Sequence, residues 1–91
     1  MNRSTWLGRL FRRDREAGRA AVVHVLRRYR GNLKAAARDL GFNRRYLFKL
    51  LWREALWPEL DALRAAHPRG RRDAEPLPEW LVRSRAALRE P

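Results

Sequence analysis

The segment from Gly31 to Leu56 constrains this chain most, because it contains two short helical patterns separated by a glycine turn. Asn32 precedes the first pattern, and its side-chain oxygen can accept a hydrogen bond from the free amides of a helix that runs to Leu40. Gly41 then ends that helix, since glycine reaches the left-handed conformation without a side-chain clash. Asn43 can cap a second helix in the same way. The segment is therefore predicted to form a helix-turn-helix with a basic second helix.

The apolar residues of the two patterns follow helical spacing and are expected to face each other. Small side chains in the first helix would let the second approach closely, and Phe42 would fill the turn between them. The residues expected at this contact are Ala36, Ala37 and Leu40 in the first helix, and Leu47, Leu50, Leu51 and Ala55 in the second.

This arrangement resembles the Fis-type helix-turn-helix, found in the nucleoid protein Fis and at the C-terminal end of NtrC-class enhancer-binding activators. The resemblance covers about 26 of the 91 residues. It is specific because the caps, the small residues, the turn and the basic helix all occur in one register. The matching positions are Gly31, Asn32, Ala36, Ala37, Leu40, Gly41, Phe42, Asn43, Arg44, Leu47 and Leu51.

The resemblance also implies roles for individual side chains. Asn43 and Arg44 would reach base edges from the start of the recognition helix, where an arginine can bind the O6 and N7 atoms of a guanine. Asn32, Lys34 and Lys49 fall where family members contact phosphate. Tyr46 stands where the family usually has a threonine. Arg45 is expected to contact the DNA backbone. The predicted DNA-binding residues are Asn32, Lys34, Asn43, Arg44, Arg45, Tyr46 and Lys49.

The charge of the chain favours a polyanionic partner independently of this resemblance, because the net charge is +12. Residues 1–31 contain nine arginines against two acids, and residues 32–56 contain six bases against two acids, whereas residues 57–91 balance to +1. The positive charge therefore lies on the predicted helix-turn-helix and the segment before it, as expected for contact with phosphates.

Residues 1–13 are predicted to form an N-terminal amphipathic helix, with Trp6, Leu7, Leu10 and Phe11 on one stripe. Such a basic helix could lie on an anionic membrane surface. The same stripe is more often packed against the protein's own core or against a partner subunit.

A longer helix is predicted over residues 14–30, and its apolar band is wider than a single buried stripe. One side of this helix can cover the helix-turn-helix at 32–56, which completes a helical core over residues 14–57. The other side needs a second partner, and a twofold copy of the chain would match the symmetry of duplex DNA. We therefore expect a homodimer whose interface contains Val22, Val25, Leu26 and Tyr29.

Residues 58–91 are predicted to form a C-terminal helical extension, with Pro58 in the first turn of one helix and a linker at 67–77 before another. Arg69, Arg71 and Arg72 of the linker could be a solvated loop or an arm for the minor groove. The last helix has an apolar face that we expect to cover Trp52 on the recognition helix. For Phe48 two interpretations stay open: it is covered by the last helix, or it contacts a thymine methyl or a sugar.

The sequence gives little support for an enzyme. It has no cysteine, which excludes disulfides, thiolate metal sites and cysteine nucleophiles. No phosphate-binding glycine loop, H-E-x-x-H or G-x-S-x-G motif occurs, and the ten carboxylates are scattered among arginines as expected for ion-pair partners. We expect no catalysis, no cofactor and no metal site.

These features predict an all-α protein, a small helical domain with a Fis-type helix-turn-helix and extra N- and C-terminal helices. Its expected function is sequence-influenced binding of double-stranded DNA, as a transcriptional regulator or a DNA-bending nucleoid-associated factor. The alternative is a helical protein-interaction adaptor, or a peripheral membrane-docking module, built on the same scaffold. No apolar run approaches the roughly 18 residues that span a bilayer, and a cytoplasmic protein at the nucleoid is expected.

Overall fold

The computed structural model describes residues 5–66 and 76–89, and within them the chain is helical without any strand. The all-α prediction is confirmed. The helices are α1 (Thr5–Arg13), α2 (Arg15–Arg28), α3 (Leu33–Leu40), α4 (Arg44–Arg53), α5 (Trp57–Ala66) and α6 (Glu79–Arg89).

The observed helix ends follow local capping chemistry. Asp14 caps α2 by accepting a hydrogen bond from the Ala17 amide, so this helix begins at Arg15. It ends at Arg28, before the positive φ angles of Arg30 and Gly31, and is therefore shorter than the predicted 14–30. Helix α4 ends at Arg53, so the expectation that Ala55 faces α3 from this helix is wrong: Ala55 is exposed and has a φ of 55°. Of the predicted linker at 67–77, residues 67–75 lie outside the described part of the chain, and Arg69, Arg71 and Arg72 lie there with them.

Helix α2 lies at the centre of the fold and packs against α1, α3 and α5. Val22, Val25 and Leu26 are fully buried within the single chain. Their predicted place in a dimer interface is therefore corrected: they leave no exposed surface for a second chain. Because three helices surround α2, its wide apolar band is already covered.

Tyr29 also faces inward in part, because its hydroxyl donates a hydrogen bond of 2.8 Å to Asp39 Oδ2. Burial and this contact with Asp39 raise the pKa of Tyr29 above its usual value. The homodimer itself stays a prediction, but it needs a surface other than the α2 band.

The apolar stripe of α1 packs into the core of the protein. Trp6, Leu7 and Leu10 are buried in the same cluster as the α2 residues. This stripe is therefore not presented to a lipid surface. Among the described residues, no helix has the length and apolar character needed to cross a bilayer.

Helix α6 packs against α1, away from the exposed face of α4. Arg85 anchors it by donating a hydrogen bond to Asp39 and by lying 5.3 Å from the Trp6 ring centre. The expectation that this helix covers Trp52 is wrong, since the Trp52 side chain is 69% exposed. The Arg85 contacts explain the difference, because they fix α6 on the other helices.

A buried carboxylate fixes the end of α4 against α2. Glu54 is 4% exposed and accepts hydrogen bonds from Arg15 at 2.9 Å and from Arg53 at 3.1 Å. Arg19 adds a bond to the backbone carbonyl of Glu54. Burial alone would raise the pKa of this carboxyl, but the hydrogen bonds and charges of Arg15 and Arg53 outweigh burial and lower it.

Candidate nucleic-acid interface

Two asparagines and a glycine define the geometry of the α3–α4 pair, as the sequence predicts. The Asn32 side chain accepts a hydrogen bond from the Ala35 amide, and the Asn43 side chain accepts one of 2.8 Å from the Tyr46 amide. Gly41 ends α3 in the left-handed conformation at φ 89°. These three local interactions fix where the N-terminal ends of α3 and α4 lie.

Both N-terminal ends open into one shallow concavity on the protein surface. The concavity is lined by Gly31, Asn32, Leu33, Lys34, Asn43, Arg44, Arg45, Phe48 and Arg64. Five of the seven predicted DNA-binding residues therefore meet in one place. The unpaired amides of a helix N-terminus carry a partial positive charge, so two such ends at one surface favour an anion.

Arg64 also belongs to this surface, although no motif in the sequence includes it. Helix α5 crosses close to Gly31, and a Cβ atom added at Gly31 would lie 3.3 Å from Arg64 Cγ and 3.6 Å from the Arg64 backbone nitrogen. Gly31 also has a φ of +84°, a backbone conformation that residues with a Cβ atom rarely adopt. The glycine therefore allows the close approach that brings Arg64 beside the start of α3.

The concavity is strongly cationic. Its lining contains Lys34, Arg44, Arg45 and Arg64 and has no carboxylate. None of these four side chains forms an ion pair within the described residues. Their charges are therefore available to an external ligand, whereas Arg15 and Arg53 are held by the buried Glu54 and Arg85 by the partly buried Asp39.

The remaining two predicted residues lie outside the concavity. Tyr46 is half-buried and packs edge to face on Phe42, with ring centres 4.8 Å apart, beside a second depression that faces α1. Lys49 is exposed on the outer face of α4, one turn after Arg45. Lys49 can therefore reach a ligand that extends along α4, while Tyr46 mainly supports the turn.

The polar side chains of this surface can all donate hydrogen bonds. Guanidinium, ammonium and amide groups can donate hydrogen bonds to phosphate oxygens and to base edges. Within residues 5–66 and 76–89, no group of three or more His, Asp or Glu side chains is placed to hold a metal ion.

Comparison with models of known families, with curated proteins and with solved structures found no significant match to this chain. The resemblance of residues 31–56 to the Fis type therefore stays a prediction from the sequence.

Proposed function

We propose that this protein binds double-stranded DNA through the concavity at the starts of α3 and α4. It acts there as a transcriptional regulator or as a DNA-bending nucleoid-associated factor. The observation that carries the proposal is the convergence of Lys34, Arg44, Arg45 and Arg64 with two helix N-termini on one carboxylate-free surface.

The exposed part of α4 suits the major groove of DNA. That groove admits an α-helix, and residues near the N-terminal end of the helix reach the base edges. Arg44 and Asn43 occupy this end, and Arg44 is the side chain that would read a guanine. Lys34 on α3 and Arg64 on α5 line the same concavity and would contact phosphates.

Fluorescence anisotropy with a labelled duplex tests this proposal. Affinity should fall steeply as salt rises, with a slope of log K against log salt near −0.9 for each phosphate contact. Lys34→Ala and Arg64→Ala should each reduce that slope by about one contact. Arg83→Ala is the matched control, because Arg83 is exposed on α6 and pairs with Glu79.

Selection of binding sequences tests the base-reading role of Arg44. Arg44→Ala should relax preference at one guanine by about 1 to 3 kcal/mol while affinity for random duplex stays near that of the parent. Unchanged preference in the variant would remove Arg44 from base reading. Salt-independent binding by the parent would contradict the proposal as a whole.

A protein-interaction adaptor is the second candidate, and exposed apolar side chains on α6 favour it. Trp80 is 39% exposed and Val82 is 51% exposed, on the helix that follows the proposed DNA-binding unit. The same surface is available to a second copy of the chain. Sedimentation of Val82→Glu beside the parent tests self-association: a dimer that only the parent forms assigns the surface to contact between two copies. Failure of both proteins to bind duplex DNA in the anisotropy assay favours the adaptor.

A further inference from the structure

Helix α4 presents an unusual outer face in which cations alternate with aromatic rings. Arg45, Phe48, Lys49 and Trp52 have the spacing that places side chains on one face of a helix, and all four are exposed. Phe48 is 43% exposed and Trp52 is 69% exposed. Leu47, Leu50 and Leu51 of the same helix are buried, so the exposed rings are not needed for the core.

The two exposed rings are held in place by a third. Trp57, the first residue of α5, packs edge to face with Phe48 at 4.8 Å and with Trp52 at 5.6 Å between ring centres. Aromatic pairs in this geometry contribute beyond simple burial. Rings that are already fixed lose less freedom when a ligand binds them, so this cluster is preorganised.

The surroundings of the rings decide what kind of ligand fits. Arg45 and Lys49 lie on the same face, and the nearest carboxylate in sequence, Glu54, is buried in its own ion pairs. The face therefore suits a polyanion that also has flat apolar parts. Nucleic acid has both, as phosphates along the backbone and as the faces of its bases.

A lipid surface fits this face less well. Helices that lie in a membrane interface bury a continuous apolar face and keep their cations on the other side. Here Arg45 and Lys49 interrupt the aromatic residues, and Phe48 lines a concavity together with the amide side chains of Asn32 and Asn43. Amides at a concave surface suit hydrogen bonds to bases or phosphates.

Bases within an intact duplex show only their edges in the grooves, because both ring faces are stacked on neighbouring bases. A ring face becomes accessible only where a nucleotide is unpaired. We infer that the Phe48–Trp52 face of α4 stacks unpaired bases, with Lys49 and Arg45 on the adjoining phosphates. This inference rests on the proposed function, and it specifies the ligand as duplex DNA next to an unpaired segment.

Two labelled probes test the inference: a blunt duplex, and the same duplex with a short thymidine overhang. The parent should bind the overhang probe about tenfold more tightly, within the range measured for stacking of a base on an aromatic side chain. Trp52→Ala should remove most of this preference without changing affinity for the blunt duplex. Trp52→Phe should retain part of it, because an aromatic ring remains.

Trp80→Ala is the matched control, since Trp80 is an exposed tryptophan on α6 that contacts His24. It should leave both affinities unchanged. Because Trp52 is largely exposed, its variants should keep the helical circular dichroism spectrum of the parent. Lys49→Ala should weaken binding to both probes alike, through loss of one phosphate contact.

The outcomes separate this inference from the function on which it rests. Equal binding of both probes by the parent overturns the inference and leaves duplex binding intact. Equal loss on both probes in Trp52→Ala also overturns it, because Trp52 is then a general contact. Failure of the parent to bind either probe rejects the proposed function as well. Binding to phosphatidylglycerol vesicles that Trp52→Ala abolishes, without any overhang preference, assigns the face to lipid instead.

Discussion

Replacement of Glu54 by glutamine tests the contact that fixes the end of α4 against α2. The carboxylate lies at 2.9 Å from Arg15 Nε, 3.1 Å from Arg53 Nε and 3.6 Å from Arg19 Nη1. Glutamine has nearly the same shape and can still accept one hydrogen bond. The substitution therefore removes the negative charge and changes the packing very little.

The size of the effect follows from the exposure of the partners. Removal of one member of a fully buried pair costs roughly 3 to 5 kcal/mol, because a charge is left buried and unpaired. Here the side chains of Arg15, Arg53 and Arg19 are 67%, 56% and 32% exposed, so water solvates them after the change. The remaining loss is that of charge-assisted hydrogen bonds, which gives about 1 to 3 kcal/mol.

Urea unfolding followed by circular dichroism measures this loss, with the exposed Asp61→Asn as a control expected to stay within about 0.5 kcal/mol of the parent. The pKa of Glu54 is lowered below its ordinary value of 4.5. Its contribution to stability is thus present above pH 4.5 and is lost as the pH falls through the lowered pKa. The difference between Glu54→Gln and the parent should shrink in acid. Equal stability at pH 7, or a difference unchanged in acid, would refute this reasoning.

Three further substitutions test other parts of the structure. A Cβ at Gly18 would lie 2.7 Å from the Phe11 ring, so Gly18→Ala should destabilise the protein by about 1 kcal/mol or more, and should become stabilising in a Phe11→Ala background. Burial and then the charge of Arg27 lower the pKa of His24 from 6.5, so stability should fall as the pH drops below this value, and thermal unfolding of His24→Gln should show a weaker dependence there. Asn43→Asp should keep the cap of α4 and the stability of the protein while reducing its affinity for duplex DNA. Asn43→Ala should instead lower the free energy of unfolding by about 0.5 to 2 kcal/mol. Equal DNA affinity for the parent and Asn43→Asp would place the ligand elsewhere.

The parts of the structure that local chemistry determines could be predicted from the sequence. Asn32, Gly41 and Asn43 act on neighbouring residues in the chain, so their spacing was enough to predict the ends of α3 and α4. The burial of Leu47 and Leu51 followed from helical periodicity in the same way.

Features that depend on distant packing could not be predicted. Arg64 reaches the concavity only because α5 crosses Gly31, and no periodicity in the sequence encodes that crossing. The predicted dimer interface on α2 is wrong for the same reason. The width of its apolar band predicts contact with a second chain, but α1, α3 and α5 of the same chain surround it. Trp52 was expected under the last helix, whereas the ion pair of Arg85 with Asp39 anchors that helix elsewhere.

Mapping the DNA-binding surface of the protein by NMR tests most directly the claim that the concavity binds duplex DNA. In a titration of the labelled protein with a short duplex at moderate salt, the largest changes in amide shifts should fall on the starts of α3 and α4 and near Arg64. The amides of α6 around Val82 should change little. Changes concentrated on α6, with the amides of Asn32, Asn43 and Arg44 unaffected, would contradict the claim that the concavity is the DNA-binding surface.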